Sequence, residues 1–174
     1  MAGSLIKIDE EIVTSAVASV TLGASNWDSS YDVYMVRFNK VTPTVDNEQL
    51  RWRVTESGTP NTTANYDWAG KGFNTSTTFF NQASTNQTYF NSQMALGTAT
   101  GEFANGICYI FNANNSSEYT FVTLESSQIN RNAEHQGTQG GGVFTSASQV
   151  NGLYFYLDLG NITAGRFVLY GLKK

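Results

Sequence analysis

Charged residues are scarce in this sequence: they make up 14% of it, against roughly 25% in an ordinary soluble domain. Asn, Thr, Ser and Gln stand where the missing charge would be, so the surface is hydrated by neutral polar groups. The 10 basic and 14 acidic side chains leave a net charge of -4. A phosphate backbone gains little from counterion release on such a surface, and nucleic acid is not an expected partner. Long apolar runs are also missing, with nothing near the ~18 residues of a membrane span. Met1 to Glu11 is acidic rather than basic and then apolar, so neither membrane insertion nor a secretion signal is expected.

The residues that carry most site chemistry are nearly absent. Cys108 is the single cysteine, which excludes an intrachain disulfide. Its setting, Ile107-Cys108-Tyr109-Ile110, reads as strand core with the thiol as a small buried hydrophobe. His135 is the single histidine, too few imidazoles for the usual zinc sites. A Cys108–His135 nucleophile pair is disfavoured, because one member sits mid-strand and the other borders a glycine-rich run. Carboxylate pairs such as Asp67 with Glu102, or Glu118 with Glu125, have no spacing that singles them out. Asp9, Glu10 and Glu11 lack the alternation and the glycine of a calcium loop. The expectation is a protein without catalytic residues, metal or cofactor.

What is present is core material. Hydrophobic residues reach 40% and aromatics 13%, ample for a packed interior, and 174 residues fit one domain over 1–174. Period-two alternation predicts strands at Val17–Leu22, Tyr31–Asn39 and Gln49–Thr55. In the second of these, Tyr34, Val36 and Phe38 share one face and Val33, Met35 and Arg37 the other, as in a central strand covered on both sides. In the third, Leu50, Trp52 and Val54 point inward while Arg51 and Arg53 point outward, available for an anionic contact or for solvent.

Residues 56–101 form a polar, insertion-like region that carries Tyr66, Trp68, Phe73, Phe79, Phe80, Tyr89 and Phe90. Short strands are expected there near Thr77–Phe80 and Thr88–Phe90, and the aromatics are read as either a binding surface or a satellite core. Further strands are predicted at Gly106–Asn112, Glu118–Glu125, Gly152–Leu159 and Gly165–Gly171. The last two are joined by residues 160–164 as antiparallel neighbours. Gln136–Gly142 reads as a mobile connection, and no capped amphipathic helix is found. The fold class is all-β, an antiparallel β-sandwich of jelly-roll-like form.

The ending Gly160-Asn161-Ile162 through Gly165-Arg166-Phe167-Val168-Leu169-Tyr170-Gly171-Leu172-Lys173-Lys174 resembles a C-terminal signature of small virion structural proteins from marine and cyanobacterial tailed bacteriophages. Tyr31-Asp32-Val33-Tyr34, Leu50-Arg51-Trp52-Arg53 and Ile107 to Phe111 are similar to the same group. The resemblance implies a jelly-roll-like homotrimer that joins other virion proteins, major capsid or tail, and it supplies no catalytic residues. Without heptads or a collagen-like repeat, the chain departs from long tail fibres, which favours a capsid decoration or cement protein. A virion-surface protein made in the host bacterial cytoplasm also needs neither export signal nor disulfides. The expected interface residues are Arg51, Arg53, Tyr66, Trp68, Phe73, Lys173 and Lys174. The alternatives are a tail appendage that recognises host-surface glycan through Tyr66, Trp68 and Phe73, and a free carbohydrate-binding module.

Overall fold

The computed structural model describes residues 4–92 and 95–173. Alternating apolar and polar side chains dominate these residues, and the chain forms β1 (Ser4–Val13), β2 (Ser19–Gly23), β3 (Val33–Pro43), β4 (Leu50–Glu56), β5 (Thr59–Pro60), β6 (Tyr66–Asn74) and β7 (Phe79–Gln87). It continues through β8 (Phe90–Asn91), β9 (Ala104–Phe111), β10 (Thr120–Ile129), β11 (His135–Phe144), β12 (Gly152–Leu157) and β13 (Ile162–Lys173). Helical structure among the described residues is a single 3-10 turn at Ala24–Asn26.

A large antiparallel sheet has the order β1-β13-β3-β9-β10-β11-β6-β7, and a small one has β2-β12-β4, with β5 and β8 also paired to β4. The all-β sandwich expected from alternation is present. Strands β1-β13-β3-β9 and β2-β12-β4-β8 alternate between sheets along the chain, except at the step from β4 to β8. This is jelly-roll strand order. The hairpins β6–β7 and β10–β11 are inserted into it and lengthen the large sheet beyond β9.

The sheets are joined by aromatic side chains. Phe38 lies 6.4 Å from Phe167, and Phe167 lies 5.3 Å from Phe155 across the sandwich. Trp52 continues the series at 6.2 Å from Phe155 and 5.7 Å from Phe90. Phe90 meets Tyr66 edge-on at 4.9 Å, and Tyr66 meets Phe144 at 4.9 Å. All seven rings are buried. Such pairs contribute about 0.5–1.5 kcal/mol each beyond the area they remove from water.

Three expectations are corrected. Gln136–Gly142 is not a mobile connection but most of β11, paired along its length with β10 and β6. Its glycines make room for neighbours: a Cβ on Gly142 would sit 2.5 Å from the Asp67 carbonyl oxygen and 2.7 Å from the Phe90 ring. Glycine lies directly opposite an aromatic ring in Phe73–Gly137, Phe80–Gly72 and Phe38–Gly106 as well, so the ring covers backbone that glycine leaves bare. Second, β12 and β13 are not neighbours. Both edges of β12 are taken by β2 and β4, so β13 satisfies its backbone between β1 and β3 in the other sheet. Third, the acidic N-terminal stretch, where no strand was expected, forms β1, and Asp9 accepts hydrogen bonds there from the Gly23 N–H and the Asn26 amide.

The glycine run therefore has a testable role. Gly142→Ala is expected to lower stability by about 1–3 kcal/mol, the usual cost of overpacking, in urea denaturation followed by tryptophan fluorescence. A mobile connection would give no loss, or the small gain that reduced chain entropy brings.

Candidate interaction surfaces

The outer face of the small sheet carries Arg51 and Arg53, as the alternation in β4 requires. They lie opposite Tyr156 and Tyr154 of β12. The Arg51 guanidinium stacks 4.3 Å from the Tyr89 ring centre and bonds Asp158 at 2.9 Å. Arg53 sits 4.6 Å over Tyr156, and its Nε donates to the Thr88 carbonyl at 2.8 Å. Both cations thus have partners within the chain, and the pair forms a Tyr–Arg plaque rather than an open anionic contact.

Beneath the plaque lies a carboxyl pair. Glu48 is buried and accepts from the Leu159 N–H at 2.6 Å; Asp158 accepts from the Gln49 N–H at 3.0 Å and from Arg51. Burial, and then the hydrogen-bonded neighbouring carboxyl, push Glu48 up to about 7. At Asp158, burial opposes ionisation, but the hydrogen bonds from Glu48 and the Gln49 N–H, together with Arg51, outweigh it and hold this carboxyl low. One carboxyl raised and its neighbour lowered is the pattern that two nearby acids produce, since ionising one disfavours ionising the other.

The three aromatics expected to form one sugar-binding surface are separated. Tyr66 is fully buried in the core, with its hydroxyl donating to the Asn61 carbonyl at 2.9 Å. Trp68 is on the same inward face of β6 and packs against the core. Phe73 is on the opposite face, 42% exposed, with its ring over Gly137 and opposite Phe79. Tyr66 therefore offers no surface for a sugar, and Trp68 and Phe73 cannot act together: odd spacing along one strand puts them on opposite faces. Of the terminal lysines, Lys173 pairs through its backbone with Ser4, and Lys174 lies outside the described residues.

The larger open surface is the outer face of the large sheet. One cross-strand row runs Leu5–Leu172, then Val33–Phe111–Phe121–Val143, six apolar side chains on six consecutive strands. At ~4.8 Å between strands, this row is about 24 Å long. A second row holds Tyr170, Met35 and Tyr109. Leu5 is 51% exposed and Phe121 46%, and Tyr119, two residues before Phe121, is 47% exposed. A third row mixes charge with apolar groups: Glu10, Val168, Arg37, Ile107, Glu125, Gln139 and Lys71. That Val33, Met35 and Arg37 share one face was legible in the sequence, but both faces of that strand were expected to be covered, and which one is the outer face was not legible. Phe111, Phe121, Leu5 and Leu172 were missed, because which strands lie side by side is not written in any one of them.

Among the described residues, no group of three or more His, Cys, Asp or Glu is placed to hold a metal ion. Cys108 is buried, and burial pushes its thiol up to about 12. It points inward from β9, whereas His135 lies on the outer face and meets the Ser127 hydroxyl at 3.1 Å. No protein-family model matches the chain, and no curated protein matches it.

The carboxyl pair sets a pH dependence. Because the folded state raises Glu48 above its unfolded value, its contribution is full below the unfolded value and is lost as pH rises through about 7. The lowered Asp158 works the other way, with its contribution lost only in more acidic solution. Melting temperature should fall as pH rises from about 5 to about 8, and Glu48→Gln should flatten that fall while raising stability at the alkaline end. Thermal melts of both proteins across this range check it.

Proposed function

We propose that this chain is a non-enzymatic structural protein of a phage virion, a capsid decoration or cement protein that works through many protein–protein contacts. The observation that carries the reading is the apolar row from Leu5 to Val143, exposed at Leu5 and Phe121 and half-buried at Leu172, Val33, Phe111 and Val143. Soluble monomers seldom leave a contiguous apolar patch of that extent open, and such patches mark association surfaces. Aromatic side chains in the patch are the kind that dominate interface energetics. The resemblance of the C-terminal strand and of β3, β4 and β9 to virion proteins supplies the context, and with it a homotrimer.

The mechanism is additive. Repeated attachment raises the effective concentration of each remaining contact, so modest individual affinities sum to firm occupancy of a particle. Partner binding that favours the folded state also raises its stability. The Tyr–Arg plaque over the small sheet is already self-satisfied and is secondary in this reading.

The experiment mixes labelled protein with phage heads lacking it and, separately, with intact host cells, and measures what co-sediments. Saturable binding to heads is expected, with Phe121→Asp weakening it by about tenfold or more, a loss of ~1.4 kcal/mol, while leaving the melting temperature unchanged. Binding to cells alone would move the protein to the tail. Equal head binding by wild type and Phe121→Asp would remove the apolar row from the interface.

A further inference from the structure

We infer that the outer face of the large sheet also carries a saccharide site, centred on Ile107 between Arg37 and Glu125, that takes an oligosaccharide containing a uronic acid. This goes beyond the assembly reading and uses the third cross-strand row rather than the apolar one. Two adjoining depressions of about 340 and 490 Å³ meet there and share Ile107 and Glu125. Both fall in the size range of small-molecule sites. Asn39 and Asn105 line the first, and Tyr109 and Gln139 line the second.

The register places the three central side chains with little freedom. Arg37, Ile107 and Glu125 stand directly opposite one another on β3, β9 and β10. Neighbouring strands lie ~4.8 Å apart, so the two charged residues are separated by about 10 Å with an apolar floor between them. A sugar ring has an apolar face and a hydroxyl-bearing rim. Laid over Ile107 beside the Tyr109 ring, it would reach Arg37 at one end and Glu125 at the other.

Arg37 points to the acidic member. Its Nε is buried with no hydrogen-bond partner, and its register neighbours Val168 and Ile107 offer no side-chain acceptor. Arg51 Nε also lacks a partner, but that guanidinium holds Asp158 through Nη2 and Arg166 holds Glu10 through Nε, so both of those arginines are paired with a carboxylate. A guanidinium fork matches a carboxylate in two parallel hydrogen bonds, which a uronic acid supplies. Glu125 receives the Gln139 amide on Oε1 at 2.9 Å, which leaves Oε2 to accept a sugar hydroxyl. As a carboxylate it also repels a second acid at that end. The site therefore selects one acid at Arg37 and neutral hydroxyls at Glu125, and it disfavours a uniform polyanion.

The test is titration calorimetry of the full chain with two acidic trisaccharides, each carrying a single terminal uronic acid (galacturonate or guluronate) on two neutral galactose units, and with a neutral galactose trisaccharide. Saturable binding of at least one acidic sugar is expected, about tenfold or more tighter than the neutral one. Arg37→Gln and Glu125→Gln should each weaken it by a similar factor, while Arg51→Gln on the other sheet leaves it unchanged. Arg37→Lys, which keeps the charge and loses the fork, serves if Arg37→Gln melts early and should also bind more weakly. No saturable binding by either acidic sugar overturns the inference, as does full affinity in Arg37→Lys or Glu125→Gln. Head binding is read separately through Phe121, so failure of either proposal is distinguishable from failure of the other.

Discussion

The structure depends on one buried series of aromatic contacts, from Phe38 through Phe167, Phe155, Trp52, Phe90 and Tyr66 to Phe144. It begins in the large sheet, crosses to the small one at Phe155 and returns at Tyr66. The jelly roll and the inserted hairpins thereby share one interior. Phe90 and Tyr66, together with Val122, Leu124, Phe144 and Trp68, attach the β6–β7 and β10–β11 extension to the sandwich by side-chain packing as well as by sheet hydrogen bonds. Glycine is the complement of this packing. At Gly142 the backbone comes close enough to Phe90 that no side chain fits between them, which is how a glycine-rich segment comes to be an interior strand.

Because the core is filled from the inner faces, function is left to the outer ones, and the two sheets use theirs differently. The small sheet closes its own charges: Arg51 on Asp158 and Tyr89, Arg53 on Thr88 and Tyr156. The large sheet leaves an apolar row and, two rows away, Arg37, whose Nε has no acceptor. A protein poor in charge has few ways to specify a partner by ion pairing, so in the proposed assembly shape and apolar area would carry recognition, as they do at the centre of interfaces generally. The two edges of the large sheet differ too. Strand β1 carries Lys7, Asp9, Glu10 and Glu11, whereas β7 carries no charged residue, so charge guards one edge from strand addition and not the other.

Much of the architecture was legible in residue order. The alternation in β3, β4, β10 and β13 follows from period two alone, and the inward set Leu50, Trp52 and Val54 is as expected. The glycine run, strand β1 and the partners of β12 were not legible, since glycine and mixed charge weaken the alternation signal while pairing partners compensate for it. Asn114 is a similar case. Within an Asn- and Ser-rich turn it reads as generic loop, yet its amide bonds the Tyr31 carbonyl and the Tyr34 hydroxyl at 2.7 Å each, and its oxygen accepts from Trp27 Nε1 at 2.9 Å.

For the candidate surfaces the division is sharper. Residue order by itself determined that this is an all-β chain with an aromatic core, little charge and too few histidines and cysteines for most site chemistry. It determined too which side chains of a given strand share a face, because alternation is a property of one strand. Only the tertiary structure decided that Tyr66 is interior, that Phe73 looks the other way, and that Leu5, Leu172, Val33, Phe111, Phe121 and Val143 line up. The physical reason is that a row across a sheet is made by register between strands distant in sequence, and that register is set by the packing of the whole core rather than by any local stretch of chain.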